Sequence, residues 1–192
     1  MTPQSIQSYF SEHAALLNKI SGELTPKILE IGNLLCKTFE NDNRVYTFGN
    51  GGSAADSMHL AEELIGRFLR TRRPLPATAL TADGTAVTCI ANDFGYEELF
   101  ARQIQALAVK GDVAIAFSTS GNSENVLRGL KAAKGKSAVT VALLGKDGGK
   151  AASLADHTII IPTQTTAHIQ EMHMIIVHLL CDIVDRWAAG VP

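Results

Sequence analysis

Cysteine is scarce in this sequence. Cys36, Cys89 and Cys181 are an odd number, lie far apart and show no CxxC spacing, which excludes a disulfide scaffold and a thiolate metal module. Reduced thiols in a cytosol are the simplest account. An excess of charge of one sign is also missing: 17 Lys and Arg stand against 19 Asp and Glu, a formal charge of −2. An electrostatic nucleic-acid binder is therefore not expected. The one basic cluster, "RFLRTRR" from Arg67 to Arg73, reads as a solvated helix end and loop. The N-terminus has no basic stretch followed by an apolar one, and no apolar run reaches the ~18 residues of a membrane span. Repeats, linkers and low-complexity tracts are lacking as well. These absences predict a soluble, cytoplasmic chain with no membrane partner, folded as a single domain over 1–192.

What is present is apolar sequence, 46% of residues, enough for a substantial core. Residues 1–41 read as a helical extension. One helix runs from about Ile6 to Ile20, with Ser5 able to cap it, and a second from a Thr25-Pro26 start to Phe39. From Arg44 the rhythm changes to short apolar runs, "RVYTF", "PATALTA", "DVAIAFS", "SAVTVALLG" and "HTIIIP", separated by helical segments. Such runs rarely alternate polar with apolar and read as buried parallel strands. The predicted fold is α/β, a doubly wound, mostly parallel sheet of five strands. A long amphipathic helix, about Thr166 to Ala188, closes the chain. In this fold ligands bind beyond the carboxyl ends of the strands.

Two loops at such ends share one character. Gly49-Asn50-Gly51-Gly52-Ser53 follows the first strand, and Ser118-Thr119-Ser120-Gly121-Asn122-Ser123 follows the third. Glycine lets backbone N–H groups approach a ligand, a helix N-terminus attracts an anion, and the hydroxyls donate without a fixed cation. A single loop of this kind serves as a turn or cap about as often as a ligand site, but two at equivalent strand ends favour a phosphate. Neither GxGxxG with a ribose acid nor GxxxxGK[ST] is present, so a phosphorylated small molecule fits better than a dinucleotide or nucleoside triphosphate.

His59 and Glu63 stand four apart, on one face of the helix that follows the first loop, whereas Glu62 points elsewhere. Alone, such a pair is more often a surface contact than a ligand set; its place after a phosphate-type loop reverses that preference. In the last helix Gln170 and His178 lie two turns apart, ~12 Å along the axis, and would have to lean together to share an ion. His173 sits at a different angle and reads as a satisfied packing residue.

The segments "GNGGSAADSMHLAEEL", "IANDFGYEELFARQ", "GDVAIAFSTSGNSENV", "LLGKDGGK" and "IQEMHMIIVHLL", in that order, resemble the sugar isomerase (SIS) domain family over essentially the whole chain. Within that family they are similar to the phosphoheptose isomerases. The resemblance implies a flavodoxin-like SIS fold and conversion of sedoheptulose 7-phosphate to D-glycero-D-manno-heptose 7-phosphate through an enediol, for lipopolysaccharide core biosynthesis. It further implies substrate contacts from Asn50, Gly51, Gly52, Ser53, Glu63, Asn92, Asp93, Ser118, Thr119, Ser120, Ser123 and Gln170. Zinc would be held by His59, Glu63, Gln170 and His178, with Glu63 as base, His178 as partner acid, and active sites between subunits of a homotetramer. One position departs from a common family pattern: the residue before "IQE", often Arg, is His168. Two other readings stay open, a non-enzymatic SIS protein that binds the bacterial replication initiator and a phosphosugar sensor. Relatives of the initiator-binding kind lack the acid and the late histidine kept here as Glu63 and His178.

Overall fold

Five strands, β1 (Val45–Gly49), β2 (Ala77–Ala79), β3 (Val113–Ser118), β4 (Val139–Gly145) and β5 (His157–Ile161), form one parallel sheet in the order β2-β1-β3-β4-β5. The computed structural model describes residues 1–191. Helices cover both faces. On one lie α1 (Pro3–Glu40), α2 (Gly52–Ile65) and α7 (Thr166–Ala188); on the other lie α3 (Gly84–Phe94), α4 (Leu99–Leu107), α5 (Glu124–Gly135) and the four-residue α6 (Ala151–Leu154). A 3₁₀ turn, Tyr96–Glu98, joins α3 to α4. Burial on both faces explains the continuous apolar strands. In β3, Val113, Ile115 and Phe117 enter the α1/α2/α7 core, while Ala114 and Ala116 enter the opposite one.

The predicted pair of N-terminal helices is one helix. Pro26 lies inside α1, and the cap is Thr2, which accepts a bond from Ser5 N (3.2 Å) while Ser5 Oγ accepts one from Thr2 N (2.9 Å). The exposed Gly22 side of the helix faces solvent at the proline, and Leu16, Ile20, Leu24, Ile28, Ile31 and Leu35 form a buried stripe through it. At about 2 kcal/mol for each such side chain, the stripe outweighs the roughly 3 kcal/mol that an internal proline costs.

Two further expectations need correction. The basic cluster is not simply solvated: Arg72 and Asp185 are a buried ion pair, and Arg70 pairs with Asp182. And α7, over an 18-residue window of mean hydropathy 1.2, is long and apolar enough to cross a membrane. Half of that window is buried within the fold, where α7 packs on α1 and α2. Its apolar character is that of a core helix.

The sheet order reverses between β1 and β3, whose neighbouring ends pair Gly49 with Phe117. The two glycine- and serine-rich loops leave the sheet side by side at that switch point.

Candidate active site

Gly49 permits the junction. A Cβ there would fall 2.7 Å from the Ser53 carbonyl oxygen and 2.9 Å from that of Phe117. Gly51, at φ +57°, then turns the chain into α2. The loops enclose a cavity of about 60 Å³ lined by Asn50, Ser53, Phe117, Ser118, Thr119, Ser120 and Ser123. Neither N-cap residue, Gly51 of α2 or Ser123 of α5, bonds back to its helix through a side chain, and of the first-turn N–H groups of α5 that of Val126 is taken by Asn125 Oδ1 (2.9 Å); the positive ends of both helices lie beside this cradle. Ser118 Oγ accepts from Gly121 N (3.0 Å) and Ser120 Oγ from Asn122 N (3.2 Å). Each hydroxyl thereby orders the loop and keeps its own O–H for a ligand.

The loop after β4 braces the cradle. Gly121 has φ +62°, and a Cβ on it would run into the Gly148 carbonyl. Ala151 N donates to Gly121 O (2.9 Å) and Lys150 N to Asn122 Oδ1 (3.1 Å). Asn50 is fixed by Asn125 through two reciprocal amide bonds of 2.9 and 2.8 Å and by the Tyr96 hydroxyl, which donates to its Oδ1 (2.9 Å). Sequence reasoning did not single out Asn125 or Tyr96. Asn125 follows the serine loop directly, and that adjacency was the available signal.

A second group of residues lies between α2 and α7. His59 Nε2 stands 3.4 Å from Glu63 Oε1 and 3.3 Å from His178 Nε2. The two imidazoles meet edge-on, and the His178 ring is stacked on Phe68, with centroids 5.5 Å apart and planes 16° from parallel. Phe68 was another residue without a sequence signal, since it lies in an irregular segment. Glu62 is exposed, as its angular position predicts. His173 is buried and bonded through Nε2 to the Leu144 carbonyl (3.1 Å); burial, partly opposed by that bond, lowers its pKa to about 4. Asp56, on the α2 turn before His59, is pushed up to about 6 by burial, partly offset by His59.

The structure brings His59, Glu63 and His178 together. The Gln170 amide lies over the start of α2, where a Cβ on Gly52 would come 2.8 Å from its Cδ. Asn92 and Asp93 lie at the exposed end of α3, bonded to each other (2.7 Å), and do not line the cradle.

One donor atom from each of His59, Glu63 and His178 lies within 4.8 Å of the others. A tetrahedron with zinc bonds of ~2.05 Å has edges of ~3.3 Å, close to the two measured separations. Two imidazoles and a carboxylate at this spacing fit a zinc ion with a further position open.

A doubly wound domain with a serine- and glycine-lined cavity at its switch point and a His–Glu–His group between the adjoining helices defines the class. Residues 8–145 match the SIS domain family model. The chain is 44% identical over 183 residues to the phosphoheptose isomerase of Aquifex aeolicus, covering 95% of this chain and 96% of that protein. Among solved structures, phosphoheptose isomerase GmhA from Neisseria gonorrhoeae superposes with a TM-score of 0.90 at 37% identity, covering 95% and 97% of the two chains. A phosphoheptose isomerase from Francisella tularensis does so with a TM-score of 0.93 at 34% identity, covering 97% and 100%. The chain belongs to the SIS domain family and, within it, to the phosphoheptose isomerases.

Proposed function

We propose that this protein converts sedoheptulose 7-phosphate to D-glycero-D-manno-heptose 7-phosphate, supplying heptose for lipopolysaccharide core in the cytoplasm. The observation that carries the reading is the meeting of Glu63 with His59 and His178 on the face of the helix that begins at the anion cradle. His59 stands seven residues after Gly52, roughly 10 Å along the axis. An extended seven-carbon phosphate measures about 10 Å from phosphorus to C1 at ordinary bond lengths. With its phosphate among Ser53, Ser118, Thr119, Ser120 and Ser123, the carbonyl end reaches the cluster.

There Glu63 removes the proton from the carbon beside the carbonyl, and His178, held flat against Phe68, returns a proton to the neighbouring carbon or moves it between the oxygens. His59, Glu63 and His178 would hold zinc, with Gln170 the further ligand implied by resemblance; when bound, the ion supplies Lewis-acid polarisation of the carbonyl. In the proposed homotetramer, Asn92 and Asp93, exposed on this chain, are available to a neighbouring subunit's site. The initiator-binding and sensor readings are not favoured, because the acid and the late histidine are both present and meet.

Incubation of the purified protein with sedoheptulose 7-phosphate, with and without chelator, tests the proposal. Aldose product is expected, and Glu63→Gln lowers turnover by roughly 10²- to 10⁴-fold while substrate binding survives. Absence of product with zinc either supplied or removed would overturn it.

A further inference from the structure

A second set of ligand-type side chains lies outside the site described above. His13 on α1 faces His168 and Glu171 on α7, and one donor atom from each lies within 4.8 Å of the others. His168 and Glu171 are three apart on the helix and so share a face. His13 Nδ1 is 3.4 Å from Glu171 Oε2.

The polar atoms of this group are buried, and beyond that His13–Glu171 approach they have no partner. His13 Nδ1, His168 Nε2 and Glu171 Oε2 all lack hydrogen-bond partners, and His168 as a residue is only 4% exposed. Packing alone does not account for this, because each such atom costs on the order of 1–3 kcal/mol when left unpaired. The rings of Tyr9 and His13 both meet His168 edge-on, at 4.6 and 5.0 Å, which holds its plane. The Tyr9 hydroxyl donates to Glu171 Oε1 (2.6 Å), which turns the other carboxylate oxygen toward the histidines.

We infer that His13, His168 and Glu171 form a second binding site for a divalent cation of the zinc class, clamping the N-terminal half of α1 to α7. Two imidazoles and one carboxylate are a zinc-type donor set, whereas calcium and magnesium take oxygen ligands. The 3.4 Å separation of His13 and Glu171 matches the ~3.3 Å edge of a tetrahedron with ~2.05 Å bonds. One cation satisfies all three orphaned atoms at once. Beside the group lies a cavity of about 480 Å³ that Tyr9, His13, Asp56, Gln170 and Glu171 help to line. Tyr9 acts from behind the carboxylate, as outer partners of metal ligands commonly do.

The test counts metal on the full chain, stripped with chelator, dialysed and titrated with Zn²⁺, with Co²⁺ absorption as a second readout. In the His59→Ala/His178→Ala background, one equivalent per chain is expected to remain. Adding His13→Ala and His168→Ala is expected to remove it, with the circular dichroism of the metal-free protein unchanged. Tyr9→Phe, which keeps the ring and the fold, is expected to weaken the remaining ion about 10- to 100-fold. No bound ion in the His59→Ala/His178→Ala protein, or an ion indifferent to His13, His168 and Tyr9, would overturn the inference. A wild-type chain that binds a single ion, lost with His13 and His168, would refute zinc at the proposed catalytic cluster and leave the second site standing.

Discussion

Arg72 and Asp185 meet as an ion pair with almost no solvent on either side chain, Nε to Oδ1 3.2 Å, where the end of α2 is tied to α7. The other Asp185 oxygen accepts the backbone N–H groups of Leu69 (3.1 Å) and Arg70 (2.7 Å). Arg72 donates to the carbonyls of Glu63 (2.7 Å), Leu64 (2.9 Å) and Gly66 (3.0 Å), completing the last turn of α2. The pair therefore holds the helix that carries Glu63 to the helix that carries His178.

Asp185→Asn strands a buried guanidinium, and the expected loss is about 3–5 kcal/mol of folding stability, read from urea denaturation. Because both partners also satisfy backbone groups, the apolar double variant Arg72→Met/Asp185→Leu does not regain that loss. A cost under about 1 kcal/mol, the range of exposed pairs, would show that this junction is not held by the pair.

Gly121→Ala places a methyl group against the Gly148 carbonyl at φ +62°, so the two loops must part. Affinity for inorganic phosphate is expected to fall more than tenfold, about 1.4 kcal/mol or more, by titration calorimetry. Gly84→Ala is the control: a Cβ there has nothing within 4 Å, and binding stays as in the parent chain.

His173 makes stability depend on pH. Its ordinary value of 6.5 is lowered to about 4 in the fold, chiefly by burial. As pH falls below about 6.5, the unfolded chain takes up a proton that the folded chain refuses until about 4. Stability is thus lost across that window, by on the order of 3 kcal/mol. Asp56, raised to about 6, acts in the opposite sense over part of the same range. The comparison is therefore between the parent and His173→Phe, whose pH profiles should diverge between about 6.5 and 4; parallel profiles would show that the histidine titrates freely.

The five strands and α7 were legible because apolar runs and helical periodicity report burial directly. The cradle was legible because glycine at a strand end has a backbone meaning, borne out at Gly49 and Gly51. The break proposed near Thr25 was wrong for a tertiary reason: local proline chemistry marks a helix start, but the Leu16-to-Leu35 stripe packs through it. Arg72 looked like a surface charge because its partner, Asp185, lies far along the chain. Phe68, Tyr96 and Asn125 owe their roles to neighbours from other elements. The second histidine cluster was hidden in the same way, since only the packing of α1 on α7 brings His13 to His168.

The contact between Gly121 and Gly148 joins one stretch of main chain to another, with no side chain in between. A grip shaped by peptide geometry that only glycine tolerates can be destroyed by substitution but scarcely retuned. Change is therefore better tolerated in the side chains where α2 meets α7 than in the main chain of these two loops.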